Sequence, residues 1–176
     1  YGSSEQRLGR LLQDRHEWVI CTKVGEEFTT GKSFFDFSAE HLQRSLERSL
    51  RDLKTDYLDM VLIHSNGEDE SILEQTDCLE VLGKAKDKGL IKAFGISGKT
   101  LAGGLKAVEL TDVVMVTYNP SQLEEEAVID GVVQDLNGDH LALPAWHEWD
   151  TVSQIINLKR LCLGDRLGAG GERVPF

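Results

Sequence analysis

The sequence contains no apolar run close to the roughly 18 residues that a membrane-spanning helix needs. It also lacks the charged and then apolar leader that directs a chain to secretion. We therefore expect a protein that works in the cytoplasm and has no membrane partner. The chain opens on Tyr1 and not on methionine, which indicates a processed or truncated product.

Basic residues are few, with 19 Lys and Arg against 30 Asp and Glu, so the formal net charge is −11. A surface of this charge repels a phosphate backbone, and we therefore expect no nucleic-acid partner. An anionic cofactor is still compatible with the sequence, because local basic groups and helix N-termini can hold phosphate.

Cysteine is also scarce, and Cys21, Cys78 and Cys162 form an odd set without paired spacing. This pattern predicts reduced thiols, and neither a disulfide framework nor a zinc site. The five histidines show no metal-ligand spacing. The sequence therefore implies no metal.

What the chain does contain is an alternation of short apolar runs and amphipathic segments. It predicts strands over 18–24, 57–64, 91–97 and 113–117, a loop over 28–37, and helices over 3–13, 72–88, 100–110 and 124–133, with a further helix beginning at Ser38. Strands separated by helices are typical of βαβ units and a parallel sheet. Such units suit a barrel or a doubly wound sheet equally.

The alternation weakens beyond residue 130. A strand over 141–146 and a helix over 151–163 are the expectations there, and Lys159, Arg160 and Arg166 are interpreted as solvated charges. We therefore divide the chain into a first region, 1–130, and a poorly specified second region, 131–176.

Three polar residues stand where a parallel sheet places chemistry. Lys23 and His64 each follow an apolar strand, and Tyr1 opens the chain. In barrels the carboxyl ends of the strands carry the active site. A phenol becomes a better acid beside an ammonium group, and a histidine can orient a carbonyl oxygen. The three residues therefore suit carbonyl reduction, although Lys23 alone equally fits a solvated rim and His64 alone is more typical of a structural role.

Several motifs resemble those of aldo-keto reductases, and they occur in the order of that family. They are Tyr1 to Glu5 with Leu8-Gly9, Thr22 to Gly25, the segment 45–59, Leu62-Ile63-His64, the segment 89–97 and the segment 112–120. The resemblance covers about residues 1–130.

The resemblance implies an α/β fold of the (β/α)₈ TIM-barrel type, here incomplete, with N-terminal strands missing and C-terminal units degenerate. It also implies NADPH, or NADH, as the hydride carrier and a small aldehyde or ketone as the substrate. By resemblance Tyr1 is the general acid, Lys23 tunes it, and His64 orients the carbonyl. Ser97 and Gly98 then lie at the cofactor-binding site.

Some positions depart from the family pattern. Gly98 and Met115 stand where the family usually has Asn and Gln to bind the nicotinamide carboxamide, and the catalytic aspartate that precedes the tyrosine is absent. A second hypothesis is therefore a catalytically inactive reductase fragment from a truncated or frame-shifted gene. A third, a channel-subunit-like role with a partner protein, has no supporting feature in the sequence.

Two groups of acidic residues are interpreted as structural or solvated and not as catalytic. The run of Glu124, Glu125 and Glu126 is predicted to be a solvated helix start, and Asp56 and Asp59 are predicted to make structural bonds. An incomplete barrel also leaves unpaired strand edges and an exposed apolar inner face. We therefore expect marginal stability and self-association through those edges.

Overall fold

The structure is a computed structural model of the chain. It describes residues 3–12, 14–135 and 153–157, and side chains are described within the range 3–131. The elements in chain order are α1 Ser4–Leu11, a 3₁₀ helix Arg15–Glu17, β1 Cys21–Val24, β2 Glu26–Thr29, β3 Lys32–Phe35, α2 Ala39–Leu53, β4 Leu58–His64, α3 Asp69–Gln75, α4 Cys78–Asp87, β5 Ile91–Ser97, α5 Leu101–Leu110, β6 Val113–Thr117, α6 Glu126–Asp135 and β7 Ser153–Asn157.

A five-stranded sheet in the order β1-β4-β5-β6-β7 organises the fold. The first four strands are parallel, and helices connect them, as βαβ units require. β5 and β6 approach each other closely at Gly95, where an added Cβ would lie 1.6 Å from the Val113 carbonyl oxygen. Only glycine fits this position. The architecture is that of an incomplete (β/α) barrel.

The sheet has two different faces. Its outer face packs against α2, α4 and α5 in the larger hydrophobic core, through side chains such as Val61, Ile63, Ile96 and Val114. Its inner face carries a smaller cluster formed by Met60, Leu62, Ala93, Val113 and Met115. These five residues are buried, with exposures of 9% or less, so the expectation of an exposed apolar inner face is wrong for them.

Most predicted elements are confirmed where local residues specify their ends. The Ser38 hydroxyl accepts a hydrogen bond from the His41 backbone N–H and caps α2. The Thr100 hydroxyl does the same for α5 through Gly103 N–H. Gly89, at φ +72°, ends the turn after α4, as the sequence predicted.

The predicted loop over 28–37 is a β-hairpin, and this prediction was wrong. β2 and β3 pair antiparallel around Thr30 and Gly31, which have φ values of 52° and 80°. Two consecutive residues of positive φ are what a tight type I′ hairpin turn needs. The Thr-Gly pair between β-forming residues was the indication, and the phenylalanines obscured it.

The helix predicted over 72–88 is two helices, α3 and α4, with a break at Thr76 and Asp77. The Thr76 hydroxyl donates to the Ile72 carbonyl oxygen and accepts from the Cys78 backbone N–H. A side chain that bonds the backbone on both sides competes with the helical pattern, and it ends one helix and starts the next.

The helix predicted over 151–163 is also wrong over 153–157, because these residues form β7, antiparallel to β6. The β-branched pair Ile155 and Ile156 favours a strand. The strand predicted over 141–146 lies outside the described residues, as do Lys159, Arg160 and Arg166. Within the described ranges, no helix has the length and apolar character to cross a membrane.

Candidate active site

The register of the parallel strands brings three of the predicted site residues, Lys23, His64 and Ser97, to one face. Inner-face neighbours form three layers, which are Cys21–Met60–Ala93, Lys23–Leu62–Gly95–Val113 and His64–Ser97–Met115. Side chains alternate between the faces of a strand, so the members of these layers all face the same side. Lys23, His64 and Ser97 therefore share the inner face near the carboxyl ends of their strands.

Lys23 lies close enough to His64 for the two charges to interact. Desolvation holds the pKa of the Lys23 ammonium below its ordinary value of 10.5, while Cys21 and the Glu26 carboxylate act in the opposite direction. The Lys23 side chain is nevertheless exposed to solvent, so a ligand at this edge of the sheet can reach it. A lysine with these neighbours can influence the proton affinity of a phenol placed beside it.

His64 ends β4 and its Nδ1 contacts the Oε2 atom of Glu26. Burial is the largest cause that holds the pKa of His64 below its ordinary value of 6.5. The ammonium groups of Lys23 and Lys99 lower the pKa further, and the Glu26 carboxylate raises it. The sequence did not identify Glu26, because its place beside His64 depends on the unpredicted hairpin.

Gly25 explains how Glu26 reaches this position. It has φ +93° and joins β1 directly to the hairpin, and its carbonyl oxygen accepts from the Asp36 backbone N–H at 3.0 Å. A Cβ at Gly25 would also lie 2.8 Å from the Phe37 ring. Both the backbone conformation and the space require glycine here. The chain therefore turns at once after Val24 and directs Glu26 across the end of β4.

Ser97 and Gly98, the predicted cofactor-binding residues, lie at the end of β5. The Ser97 hydroxyl is 3.4 Å from Met115 Sδ, and the Gly98 N–H donates to the Met115 carbonyl oxygen at 3.2 Å. The structure gives a reason for the glycine, since a Cβ at position 98 would lie 2.9 Å from Asp69 Oδ2.

Asp69 is a buried carboxylate that the sequence analysis missed. It is 1% exposed, and its Oδ2 accepts hydrogen bonds from the Lys99 and Thr100 backbone N–H groups and from the Thr100 hydroxyl. Its Oδ1 accepts from the Ser65 hydroxyl. A carboxylate with this many donors has a fixed position. It therefore excludes the amide side chain that the family usually places at Gly98.

The helix α1 contains the later part of the predicted tyrosine motif and is hydrogen-bonded to the strand that carries Lys23. Glu5 accepts hydrogen bonds from Thr22 Oγ1 on β1 and from Ser49 Oγ on α2. Gly9 permits the close contact of α1 and α2, since a Cβ there would lie 2.2 Å from the Asp52 carbonyl oxygen. Tyr1 itself lies outside the described residues, so its predicted role stays a prediction.

The acidic residues have more varied environments than expected. Glu124 and Glu126 are exposed, as predicted, but Glu125 is buried at 7% exposure, so the solvated interpretation is wrong for it. The Glu125 Oε2 accepts from the Thr117 backbone N–H at 2.5 Å. Desolvation is the largest cause that raises the pKa of Glu125 above its ordinary value. Its backbone bond at the end of β6 explains why it points inward.

Asp59 confirms the structural role predicted for it. Its carboxylate accepts from Arg15 Nη2 at 2.6 Å, from Lys92 Nζ at 2.7 Å and from the Ile20 backbone N–H at 2.9 Å. The Tyr57 ring lies beneath both cations, 4.1 Å from the Arg15 guanidinium carbon and 4.3 Å from Lys92 Nζ. This group lies at the amino ends of β4 and β5, away from the candidate site.

Cysteine chemistry is not indicated at this site. Desolvation raises the pKa of the Cys21 thiol to about 11, although Lys23 acts in the opposite direction. Cys21 is therefore a protonated thiol at neutral pH and a poor nucleophile. Cys21 and Cys78 are free thiols, whereas Cys162 lies outside the described residues. Across the residues that the structure describes, no three His, Cys, Asp or Glu side chains are grouped to hold a metal ion.

Comparison with known proteins identifies the family. The model of the aldo/keto reductase family matches residues 1–146. The chain belongs to the aldo-keto reductase family. The match continues beyond residue 130, where the sequence pattern alone lost the likeness.

The similar proteins include both reductases and dehydrogenases. A solved structure described as an aldo-keto reductase from Pseudomonas aeruginosa is 51% identical, with a TM-score of 0.75, over 76% of this chain and 54% of that chain. D-arabinose 1-dehydrogenase from Saccharomyces cerevisiae is 39% identical over 56% of this chain and 30% of the relative. Methylglyoxal reductase DkgB from Escherichia coli O157:H7 is 34% identical over 62% of this chain and 38% of the relative.

The chain spans less than half the length of these two curated relatives. Aldo-keto reductases use nicotinamide cofactors and act on small carbonyl compounds. The described residues include β1, which carries Lys23, and β4, which ends at His64.

Proposed function

We propose that the chain carries part of the active site of an NAD(P)H-dependent oxidoreductase that reduces aldehydes or ketones to alcohols. The observation that carries this proposal is the placement of Lys23 and His64 together on the inner face, at the carboxyl ends of adjacent parallel strands. Barrel enzymes place their chemistry at this edge. The resemblance to reductases and dehydrogenases favours an enzyme over the alternative of an inactive fragment.

In the proposed mechanism Tyr1 donates the proton, Lys23 adjusts the acidity of the phenol, and His64 orients the substrate oxygen. The reduced nicotinamide, when bound, supplies a hydride to the carbonyl carbon. The electron pair of the carbonyl π bond then moves to oxygen, which takes the phenolic proton of Tyr1. The Lys23 ammonium stabilises the tyrosinate that this transfer leaves.

The end of β5 fits the nicotinamide part of the cofactor in its donor set. Ser97 supplies a hydroxyl on the inner face beside His64, and its neighbour Met115 supplies only a weakly accepting sulfur. We propose that Ser97 and the Gly98 backbone hold the carboxamide, a task that the family usually gives to amide side chains. Asp69 occupies the space for such a side chain at position 98.

Replacing His64 with alanine tests the proposal. We expect the kcat/KM for NADPH-dependent reduction of methylglyoxal to fall by about 100-fold or more, since a positioned acid–base group typically contributes that much. His16→Ala is the matched control, because His16 is exposed and stacks on Tyr57 at the other end of the sheet. Equal turnover in the two variants would remove the assignment of His64.

NADPH as the preferred cofactor, action in the cytoplasm and self-association through strand edges remain parts of the proposal. A thermal melt with saturating NADPH or NADH addresses the cofactor directly. A ligand that binds only the folded state at about 100 times its Kd adds about 2.7 kcal/mol of stability. We expect the larger upward shift in Tm with NADPH, and a shift with neither cofactor would contradict a nicotinamide site on this chain.

A further inference from the structure

Glu26 lies at the candidate site but has no role in the mechanism proposed above. It is the first residue of β2, and the turn at Gly25 directs it toward the end of β4. Its side chain is 7% exposed and that of His64 is 20% exposed, so the contact between Nδ1 and Oε2 is largely shielded from water. A shielded carboxylate against a ring nitrogen needs a hydrogen between them.

That hydrogen lies on the histidine, because an ionised carboxylate has none to donate. Nδ1 then carries the hydrogen, and Nε2 is the ring nitrogen left to meet a substrate. Partners of this kind fix both the tautomer and the orientation of functional histidines.

We propose that Glu26 is a positioning residue for His64, whose carboxylate accepts the Nδ1 hydrogen and leaves Nε2 to meet the substrate oxygen. The inference deepens the proposed function and rests on it for its catalytic meaning. The contact between the two side chains, however, can be tested without any turnover.

The pair has a consequence for the direction of the reaction. With Nδ1 protonated, neutral His64 presents the Nε2 lone pair, which accepts a hydrogen bond from an alcohol hydroxyl. Donation to a carbonyl oxygen requires the imidazolium form. Neutral His64 therefore suits alcohol oxidation, and carbonyl reduction gains from protonation of the ring.

Three charged groups face the ring and decide how readily it protonates. They are Lys23 from β1, Glu26 from β2 and Lys99 from the segment after β5, and burial acts together with the two cations. Glu26 is the group among them that favours the imidazolium. Removing its charge should therefore lower the pKa of His64.

Ring-nitrogen NMR of the chain labelled with ¹⁵N-histidine gives the decisive test, with the His64 signals assigned by comparison with His64→Gln. In Glu26→Gln the amide oxygen still accepts from Nδ1, so we expect the same tautomer and a lower pKa. In Glu26→Ala we expect a lower pKa and a gain of the Nε2-protonated tautomer. Glu27→Gln is the control, since Glu27 contacts Arg48 and His41, and it should change neither property.

An unchanged tautomer in Glu26→Ala together with an unchanged pKa in Glu26→Gln would overturn the inference. Glu26→Gln keeps the size and shape of the side chain, so it gives a result even if the alanine variant does not fold. The NMR result stands whether or not the unsubstituted chain turns over methylglyoxal. Absence of turnover would count against the proposed function alone.

Enzyme kinetics provide a second test of the role of Glu26. We expect Glu26→Ala to lower the kcat/KM for methylglyoxal reduction by roughly 10- to 100-fold, the usual effect of losing such a partner. In Glu26→Gln the reductive pH profile should shift to lower pH in step with the pKa of His64. A loss of activity without any change in the profile would assign Glu26 a merely structural role and overturn the proposal.

Discussion

Ionisable side chains have opposite environments at the two ends of the parallel sheet. At the amino end Asp59 is buried, and burial alone would raise its pKa, but hydrogen bonds from Lys92, the Ile20 N–H and Arg15 hold the pKa below its ordinary value. At the carboxyl end desolvation lowers the pKa of Lys23 and of His64, and the Lys23 charge lowers the pKa of His64 further.

The difference separates stability from chemistry within one sheet. A carboxylate that two cations and a backbone N–H satisfy stabilises the fold in its charged form. Burial lowers the pKa of Lys23 and of His64, and the Lys23 charge lowers the pKa of His64 further. Perturbed pKa values of this kind cluster at functional sites. Strand direction decides which end has which role, as is general in barrels.

We expect the largest effect on stability from a substitution at the amino end of the sheet. Asp59→Ala leaves Arg15 and Lys92 without their carboxylate, and we expect a loss of about 3 kcal/mol in the free energy of unfolding, typical of breaking a buried pair. Urea denaturation measures it. Asp56→Ala is the control, since Asp56 is exposed. If both variants unfold at the same urea concentration, the amino end does not stabilise the fold as described.

The carboxyl end should show the reverse behaviour. Lys23→Met keeps the aliphatic stem and removes the charge, and we expect methylglyoxal reduction to fall by about 100-fold, or 2.7 kcal/mol in transition-state stabilisation. Because Lys23 is exposed, the substitution should change the free energy of unfolding of the chain by less than about 0.5 kcal/mol. A loss of stability comparable with that of Asp59→Ala would make Lys23 a structural residue.

Restoring the usual family residue should be harmful in this chain. Gly98→Asn places a side chain against the fixed carboxylate of Asp69, and we expect a loss of about 1–3 kcal/mol from overpacking. Gly83→Ala in α4 is the control, since a Cβ there meets nothing within 4 Å. It should stabilise the helix by up to about 1 kcal/mol. Improved stability in Gly98→Asn would show that Asp69 does not exclude the amide.

The smallest expected effect is in the pH dependence of Tm. Both Asp59 and His64 have lowered pKa values in the folded chain, so the unfolded chain binds more protons and stability rises with pH. The His64 contribution is lost as pH falls below its ordinary pKa of 6.5, and that of Asp59 below 3.8. His64→Gln should flatten the upper part of the profile and Asp59→Asn the lower part. A profile unchanged by either substitution would contradict the assignment.

Local patterns predicted much of the fold where the ends of a strand or helix are clear in the sequence. The strand over 91–97 was predicted with the bounds that the structure has, since a largely apolar segment follows Gly89 and closes on Ser97. The helix break at Thr76 was not predicted, because it arises from the backbone bonds of one hydroxyl. The strand over 153–157 depends on pairing with β6, which helical spacing does not reveal.

The candidate site was predictable where a residue ends a strand and unpredictable where tertiary contacts decide. Lys23 and His64 follow apolar runs, so the sequence located both. Glu26 reaches His64 only through the glycine turn and the hairpin, which a loop prediction conceals. Asp69 resembled any acid at a helix start, and only the fold shows that it binds the backbone of a later segment.

Asp69 has one more consequence, which concerns how this edge can change. The Asp69 carboxylate accepts hydrogen bonds from Ser65 after β4 and from Thr100 after β5, and it therefore connects the two loops. We therefore expect a substitution in one loop to affect the other, because both loops hydrogen-bond the same carboxylate. Natural variants of this chain should therefore change the residues at 65, 69, 98 and 100 together, as a linked set.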